Sequence, residues 1–359
     1  MPVSPLETPP VPACLRGPVT ATIGPAYAYH PPAPDPGPLL WVGGSMTRFA
    51  QLDAFRRSAG IVRLIGHRGA RGIMPENTIE GFEFTLSLGV KALEFDVVLT
   101  RDTVPVITHN HHLSAAFTRD ATGAFLTGPE PRVADLTLEQ LRSYDVGGQD
   151  PQAAYGQRFP DQAYLSNIRT PTLAELMHLV QRPAYADVAL LLELKADPAQ
   201  HDDPAARAAF VTRVIAQVRH HALASRTVLH SFDWALLDEC RRQAPDLPTS
   251  YLSEVTIAPG EDVPDPTLPD LSQLKTSIPQ AVADAGGQMW CPFYLDVTPD
   301  AVAEAHDLGL LVQTWTVNLP RDIEAMIDAG VDGICTDYPG RVQRHLQARG
   351  LRWTDQGDT

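Results

Sequence analysis

Residues 62–99, VRLIGHRGARGIMPENTIEGFEFTLSLGVKALEFDVVL, read as strand, helix and strand in turn. The predicted strand 62–65 stops at Gly66, and Ile79, Phe82 and Leu86 recur at helical spacing within 78–88 before Gly89 ends the helix. Asn77 or Thr78 can cap that helix. Residues 92–99 are apolar again except for Glu94 and Asp96. A near-continuous apolar strand next to a helix is the mark of a parallel β/α unit covered on both faces. The alternation continues along the chain. Further strands are predicted over 104–108, 188–194, 227–231, 249–252, 288–292, 311–317 and 333–336, with helices over 172–180, 204–221, 234–243, 299–308 and 320–329. Roughly eight such units in about 250 residues have the size of an α/β fold closed as a (β/α)8 TIM barrel, with a doubly wound open sheet as the alternative. No internal repeat of fixed period is present.

Two segments break the rhythm. The first 38 residues hold 12 of the 33 prolines, which fix φ and remove backbone donors, so residues 1–44 are expected to form an irregular arm. That arm is either a segment packed loosely on the domain or the product of a start codon placed too early, with Met46 the true start. Residues 45–350 form the barrel domain and 351–359 a tail. Between His109 and Arg169, glycines and prolines are dense and the one short helix expected is 137–143. A stretch this long inside a compact domain usually serves function, so residues 110–169 are expected to be a subdomain inserted after an early strand, shaping the pocket.

The 359 residues carry 43 acidic and 28 basic side chains, a net charge of −15. That balance repels phosphate backbones and anionic headgroups, and no basic patch offsets it, so nucleic acid and membrane surfaces are set aside in favour of a small soluble substrate. No apolar run approaches the ~20 residues of a membrane span. The N-terminus has neither a basic region nor an apolar core typical of a secretion signal, so the cytoplasm is expected. Cys14, Cys240, Cys291 and Cys335 are widely spaced, which points to reduced thiols and away from a cysteine zinc site. The sequence leaves the oligomeric state open.

Chemistry concentrates at predicted strand ends. His67 follows a strand closed by Gly66, and His109 ends the strand Pro105-Val106-Ile107-Thr108, so both face a barrel mouth where acid/base work is done. The bland alternative is a histidine hydrogen-bonded to backbone. Adjacent His111 and His112 are read as surface loop residues. Glu94 and Asp96 share one face of their strand by its period of two, and Glu193 sits in the apolar strand Leu190-Leu191-Leu192-Glu193-Leu194-Lys195. Carboxylates gathered in an apolar interior repel one another unless one is protonated or a cation lies between them. Hard oxygen donors without cysteine favour magnesium, calcium or manganese over zinc. Simple pairing with Arg68 or Lys195 is the competing account, and it leaves other acids unmatched. Two histidines around such a cation suit in-line displacement at phosphorus. Trp315, flanked by threonines at a strand end, offers a flat floor for a glycerol moiety.

His67-Arg68-Gly69, Pro75-Glu76-Asn77-Thr78, Glu94-x-Asp96, His109, Glu193-x-Lys195, Ser231-Phe232, Trp315-Thr316-Val317-Asn318 and Thr336-Asp337-Tyr338-Pro339 occur in the order seen in glycerophosphodiester phosphodiesterases, which the chain resembles over residues 62–345. Leu136-Thr137-Leu138, Tyr144-Asp145-Val146-Gly147, Phe159-Pro160-Asp161 and Pro171-Thr172-Leu173 are similar to one bacterial branch. The resemblance implies a TIM barrel holding one divalent cation on Glu94, Asp96 and Glu193. It further implies His67 and His109 as the acid/base pair, and Arg68 and Lys195 on the phosphate. It implies hydrolysis of diesters such as glycerophosphocholine to glycerol 3-phosphate and an alcohol, through attack by a neighbouring substrate hydroxyl and a cyclic phosphate. A non-catalytic phosphodiester binder and a related lysolipid lyase or phospholipase D are the alternatives. One departure stands out: the family's His-Asp is His109-Asn110 here.

Overall fold

The computed structural model describes residues 49–257 and 267–355. The arm expected over 1–44 lies outside the described residues, as does the end of the tail beyond 355. Nine strands form one sheet: β1 (Arg63–Gly66), β2 (Ala92–Leu99), β3 (Pro105–Ile107), β4 (Ala189–Leu194), β5 (Thr227–Ser231), β6 (Thr249–Ser253), β7 (Met289–Pro292), β8 (Leu311–Thr314) and β9 (Gly333–Thr336). The order β1-β9-β8-β7-β6-β5-β4-β2-β3, with β1 also paired to β2, closes eight parallel strands into a barrel and rules out the open sheet.

β3 corrects the simple alternation. It runs antiparallel to β2, with Val98 opposite Val106, and lies outside the closed ring. The connection between them is too short for the crossover that a parallel neighbour needs, and Thr103 turns it with a φ of 60°. β8 also stops at Thr314, short of the predicted 317.

Helices follow the apolar stripes. α1 (Ile79–Ser87) is capped by Thr78, whose Oγ1 accepts from the Gly81 amide at 3.1 Å. α4 (Leu173–Val180) buries Leu173, Leu176, Met177 and Val180, a spacing of three and four, and Thr172 with Glu175 forms a reciprocal capping box. α5 (Pro204–His220), α6 (Trp234–Gln243), α8 (Pro299–Asp307) and α9 (Pro320–Ala329) fall where predicted, whereas α7 (Ile278–Asp284) and α10 (Pro339–Ala348) were not expected. The insertion holds α2 (Leu138–Leu141) and a second short helix, α3 (Ala154–Arg158), that the glycine and proline content concealed.

A 3-10 turn, Ala50–Phe55, packs Leu52 and Phe55 with the lumen residues Ile65, Ala189, Val228 and Leu311, and Gln313 Nε2 donates to the Phe55 carbonyl at 2.7 Å. Residues 351–355 are tied to the barrel: the Val62 amide donates to the Arg352 carbonyl at 3.0 Å and Trp353 Nε1 to that of Gly89 at 3.1 Å. No helix among the described residues is long and apolar enough to cross a membrane.

Candidate active site

The carboxylates come together because β2 and β4 are neighbours in register, Asp96 beside Glu193, while Glu94 lies one inward position earlier on β2. One oxygen from each of Glu94, Asp96 and Glu193 lies within 4.8 Å of the others, and the three residues are 4%, 0% and 6% exposed. Both cations weighed as simple partners do approach. Lys195 Nζ is 3.0 Å from Glu193 Oε1 and Arg68 Nε is 3.5 Å from Asp96 Oδ2. Two cations against three acids leave a surplus, and the surplus shows. Burial, then Asp96 and Glu193, pushes the Glu94 carboxyl well above the usual range. Burial would raise Asp96 too, but His109, Arg68 and Lys195 together pull it well below. Asp96 Oδ1 is buried without a hydrogen bond, although Asn77 Nδ2 donates to Oδ2 at 2.8 Å. Three clustered hard oxygens, one of them orphaned, fit a divalent cation.

His67 stands on a tight turn. A Cβ on Gly66 would lie 2.4 Å from the Gly69 carbonyl oxygen, and Arg68 and Gly69 both adopt left-handed backbone, with φ of 48° and 86°. The turn sends the Arg68 amide to Glu94 Oε2 at 3.0 Å. His67 Nδ1 donates to Asp337 Oδ1 at 2.6 Å, which leaves Nε2 3.9 Å from Glu94 Oε2. Asp337 directly follows β9 and is fully buried. It also accepts from Arg71 Nε at 2.9 Å and from Asn318 Nδ2 at 2.7 Å. Burial would raise the Asp337 carboxyl, but Arg71 and His67 hold it far below the carboxylate range. Burial lowers the His67 imidazole, with Arg71 and Arg68 adding to this and Asp337 opposing it.

His109 arrives from the other side, two residues beyond β3. Its Nδ1 donates to Asn110 Oδ1 at 2.8 Å, and Lys195 Nζ lies 3.4 Å from its Nε2. The Asn110 amide thus supplies an acceptor beside the ring without a charge. His111 and His112 lie on a loop as expected, half-buried and exposed respectively, and that loop borders the same cavity with Glu130 and Arg132 of the insertion.

That cavity, about 470 Å³, is lined by both candidate histidines, Arg68, Lys195, Glu94, Glu193 and Trp315. Trp315 meets Phe232 edge-on at 5.3 Å and Phe293 at 5.2 Å between ring centroids, while its Nε1 donates to the Cys291 carbonyl at 3.0 Å. His230 also faces the cavity. Burial pushes its imidazole down to about 3, and its Nδ1 lies 2.9 Å from Ser250 Oγ. Ser231 and Asp233 serve structure: Ser231 Oγ donates to the Leu194 carbonyl, and Asp233 caps α6. Cys240, Cys291 and Cys335 are free and buried.

All the predicted site residues therefore meet at one end of the lumen, with Asp96 fully buried in the acid cluster and the others lining the cavity. Asp337 and Arg71 were not assigned roles from sequence, and Asn77 was read only as a possible helix cap, a place that Thr78 takes. Capping by Thr78 left the preceding Glu76-Asn77 pair unexplained, and that was the available signal. Asn77 supports Asp96, and Glu76 accepts from Arg68 Nη1 at 3.1 Å.

Fold and site define a parallel (β/α)8 barrel with an acid cluster able to hold a cation between two histidines. Residues 67–341 match the glycerophosphoryl diester phosphodiesterase family, and the chain belongs to that family. A glycerophosphodiester phosphodiesterase of Caldanaerobacter subterraneus subsp. tengcongensis is 28% identical over 276 residues, 77% of this chain and 94% of that protein. A solved structure from Silicibacter pomeroyi, assigned as a glycerophosphoryl diester phosphodiesterase, is 59% identical with a TM-score of 0.80, covering 85% of this chain and all of that one. An Oleispira antarctica phosphodiesterase, solved in complex with the product sn-glycerol-3-phosphate, shares the fold at 20% identity and a TM-score of 0.60, over 80% of this chain and 98% of that one.

Proposed function

We propose that the protein hydrolyses glycerophosphodiesters to glycerol 3-phosphate and an alcohol, using one divalent cation on Glu94, Asp96 and Glu193. The observation that carries this reading is the meeting of that acid cluster with two oriented imidazoles in one cavity. Magnesium, calcium or manganese suits an all-carboxylate set. When bound, the cation supplies Lewis-acid polarisation of a phosphoryl oxygen.

The chain's own groups account for the rest. Arg68 and Lys195 bind phosphate oxygens and offset charge building on them. Trp315 and Phe232 support the glycerol carbons. His67, whose Nδ1–H is fixed on Asp337, presents Nε2 to accept the proton of a substrate hydroxyl as its oxygen attacks phosphorus, and the carboxylate stabilises the imidazolium formed. His109, at the wall shared with the insertion, gives a proton to the departing alcohol oxygen as its bond to phosphorus breaks. The roles reverse when water opens the cyclic phosphate.

The test uses the full chain with glycerophosphocholine, with magnesium or with excess chelator, following glycerol 3-phosphate. Release only with the metal is expected. Equal rates under chelation contradict the metal requirement, and no release contradicts this substrate.

A further inference from the structure

One hydroxyl of the insertion reaches the side chain that pairs with Arg68. Tyr155 of α3 donates its O–H to Glu76 Oε2 at 2.5 Å, and Glu76 Oε1 accepts from Arg68 Nη1 at 3.1 Å. The Glu76 and Arg68 side chains are each 7% exposed, so water screens their pairing little. Arg68 stands between two sets of acids, Glu76 on one side and Asp96 at 3.5 Å on the other. Whatever holds Glu76 in place decides how strongly the guanidinium is drawn away from the cation-binding cluster.

Tyr155 is built to do this. Its ring lies 4.8 Å from that of Phe117 and 5.0 Å from that of Phe159, and the Arg71 guanidinium covers Phe159 at 4.7 Å. Gln162 Nε2, 3.4 Å from the Tyr155 oxygen, donates to the Arg71 carbonyl at 2.6 Å. The next residue, Gly156, sits so close to the preceding loop that a Cβ there would lie 2.0 Å from the Asp150 carbonyl oxygen. Burial and the Glu76 carboxylate push the phenol well above its ordinary value, so the hydroxyl keeps the proton it donates.

We propose that Tyr155 is a positioning residue contributed by the insertion, fixing Glu76 and through it the guanidinium of Arg68 for phosphate. The inference rests on the functional reading above, in which Arg68 binds the phosphate. Without the hydroxyl, Glu76 swings free and Arg68 collapses onto Asp96, where it competes with the cation and turns from the substrate.

The test is Tyr155→Phe in the full chain, which keeps the ring packing. Inorganic phosphate binding is measured by calorimetry with magnesium present, alongside KM and kcat for glycerophosphocholine and the thermal midpoint. Phosphate affinity is expected to fall about tenfold, the scale of one hydrogen bond to a charged group, with KM rising in step and kcat falling by less than KM rises, because Arg68 both binds the phosphate and offsets charge building on it. Glu76→Gln is expected to lose as much, and the double variant no more than Glu76→Gln alone. Additive losses, or a lowered thermal midpoint with phosphate affinity intact, overturn the proposal. A wild-type chain that binds phosphate and turns over, both unmoved by Tyr155→Phe, overturns it alone. A wild-type chain that does neither overturns the functional reading and this inference with it.

Discussion

His67 and His109 face one cavity, yet His67 is held at Nδ1 by a fully buried carboxylate and His109 by the amide of its half-buried neighbour. The β1/β9 wall is a charged network closed from water: Asp337 accepts from His67, Arg71 and Asn318 together. The hairpin wall is neutral at the same position, and its nearest cation, Lys195, approaches the opposite ring nitrogen. Geometry is alike on the two walls and charge is not. A carboxylate both orients an imidazole and stabilises its cation, whereas an amide oxygen only orients it.

The comparison breaks most sharply if either ring is dispensable. His67→Ala and His109→Ala are each expected to lower kcat by about 10³-fold, within the range of general acid/base contributions. Rates of glycerol 3-phosphate release with magnesium check this, and a loss below about tenfold for one ring removes it from the pair.

Asp337→Asn comes next. It keeps the shape of the network but leaves Arg71 buried against a neutral amide, so a cost of about 3 kcal/mol in denaturant unfolding is expected, along with about a 10²-fold loss in kcat. The sign of the pH effect follows. Asp337 has a folded pKa below its unfolded value of about 3.9, so its stabilisation is complete at neutral pH and is lost as pH falls below about 4. Lowered His67 acts in the same direction, favouring the folded state above about pH 6.5. Asp337→Asn should therefore flatten the fall of unfolding free energy on acidification between about pH 5 and about pH 3. An unchanged profile would mean that Asp337 is not the ion pair drawn here.

Asn110→Asp sharpens the contrast from the other wall. A carboxylate beside His109 favours the imidazolium, so the limb of the pH–rate profile that follows His109 should move up by about one pH unit or more. A profile that stays in place shows that the amide was not setting the ring's basicity. The smallest effect is expected of Trp315→Ala, about a tenfold rise in KM with kcat nearly constant, since the ring supplies contact rather than charge.

Much of this was legible in the amino-acid sequence, for physical reasons. Glu94, Asp96 and Glu193 are conspicuous because charges rarely sit in apolar parallel strands, and period-two geometry puts the first two on one face. The strand and helix alternation implied the barrel. What escaped depends on long-range pairing. Nothing local joins His67 to Asp337, 270 residues apart, or Tyr155 to Glu76, 79 apart. β3 kept the apolar pattern of its neighbours, and the sign that it runs backwards was the short connection from β2, which apolar patterning alone does not weigh. His111 and His112 sit on a loop as read, and only the folded chain shows that this loop borders the cavity.

The account turns on the acid cluster holding a cation that the reaction needs. Isothermal titration of magnesium or manganese into chelator-treated protein, with hydrolysis of glycerophosphocholine assayed on the same samples, tests this directly. One ion bound per chain, activity returning in proportion, and neither seen in Asp96→Asn is the expected result. Full activity in the metal-free protein, or one ion bound undiminished by Asp96→Asn, would contradict it.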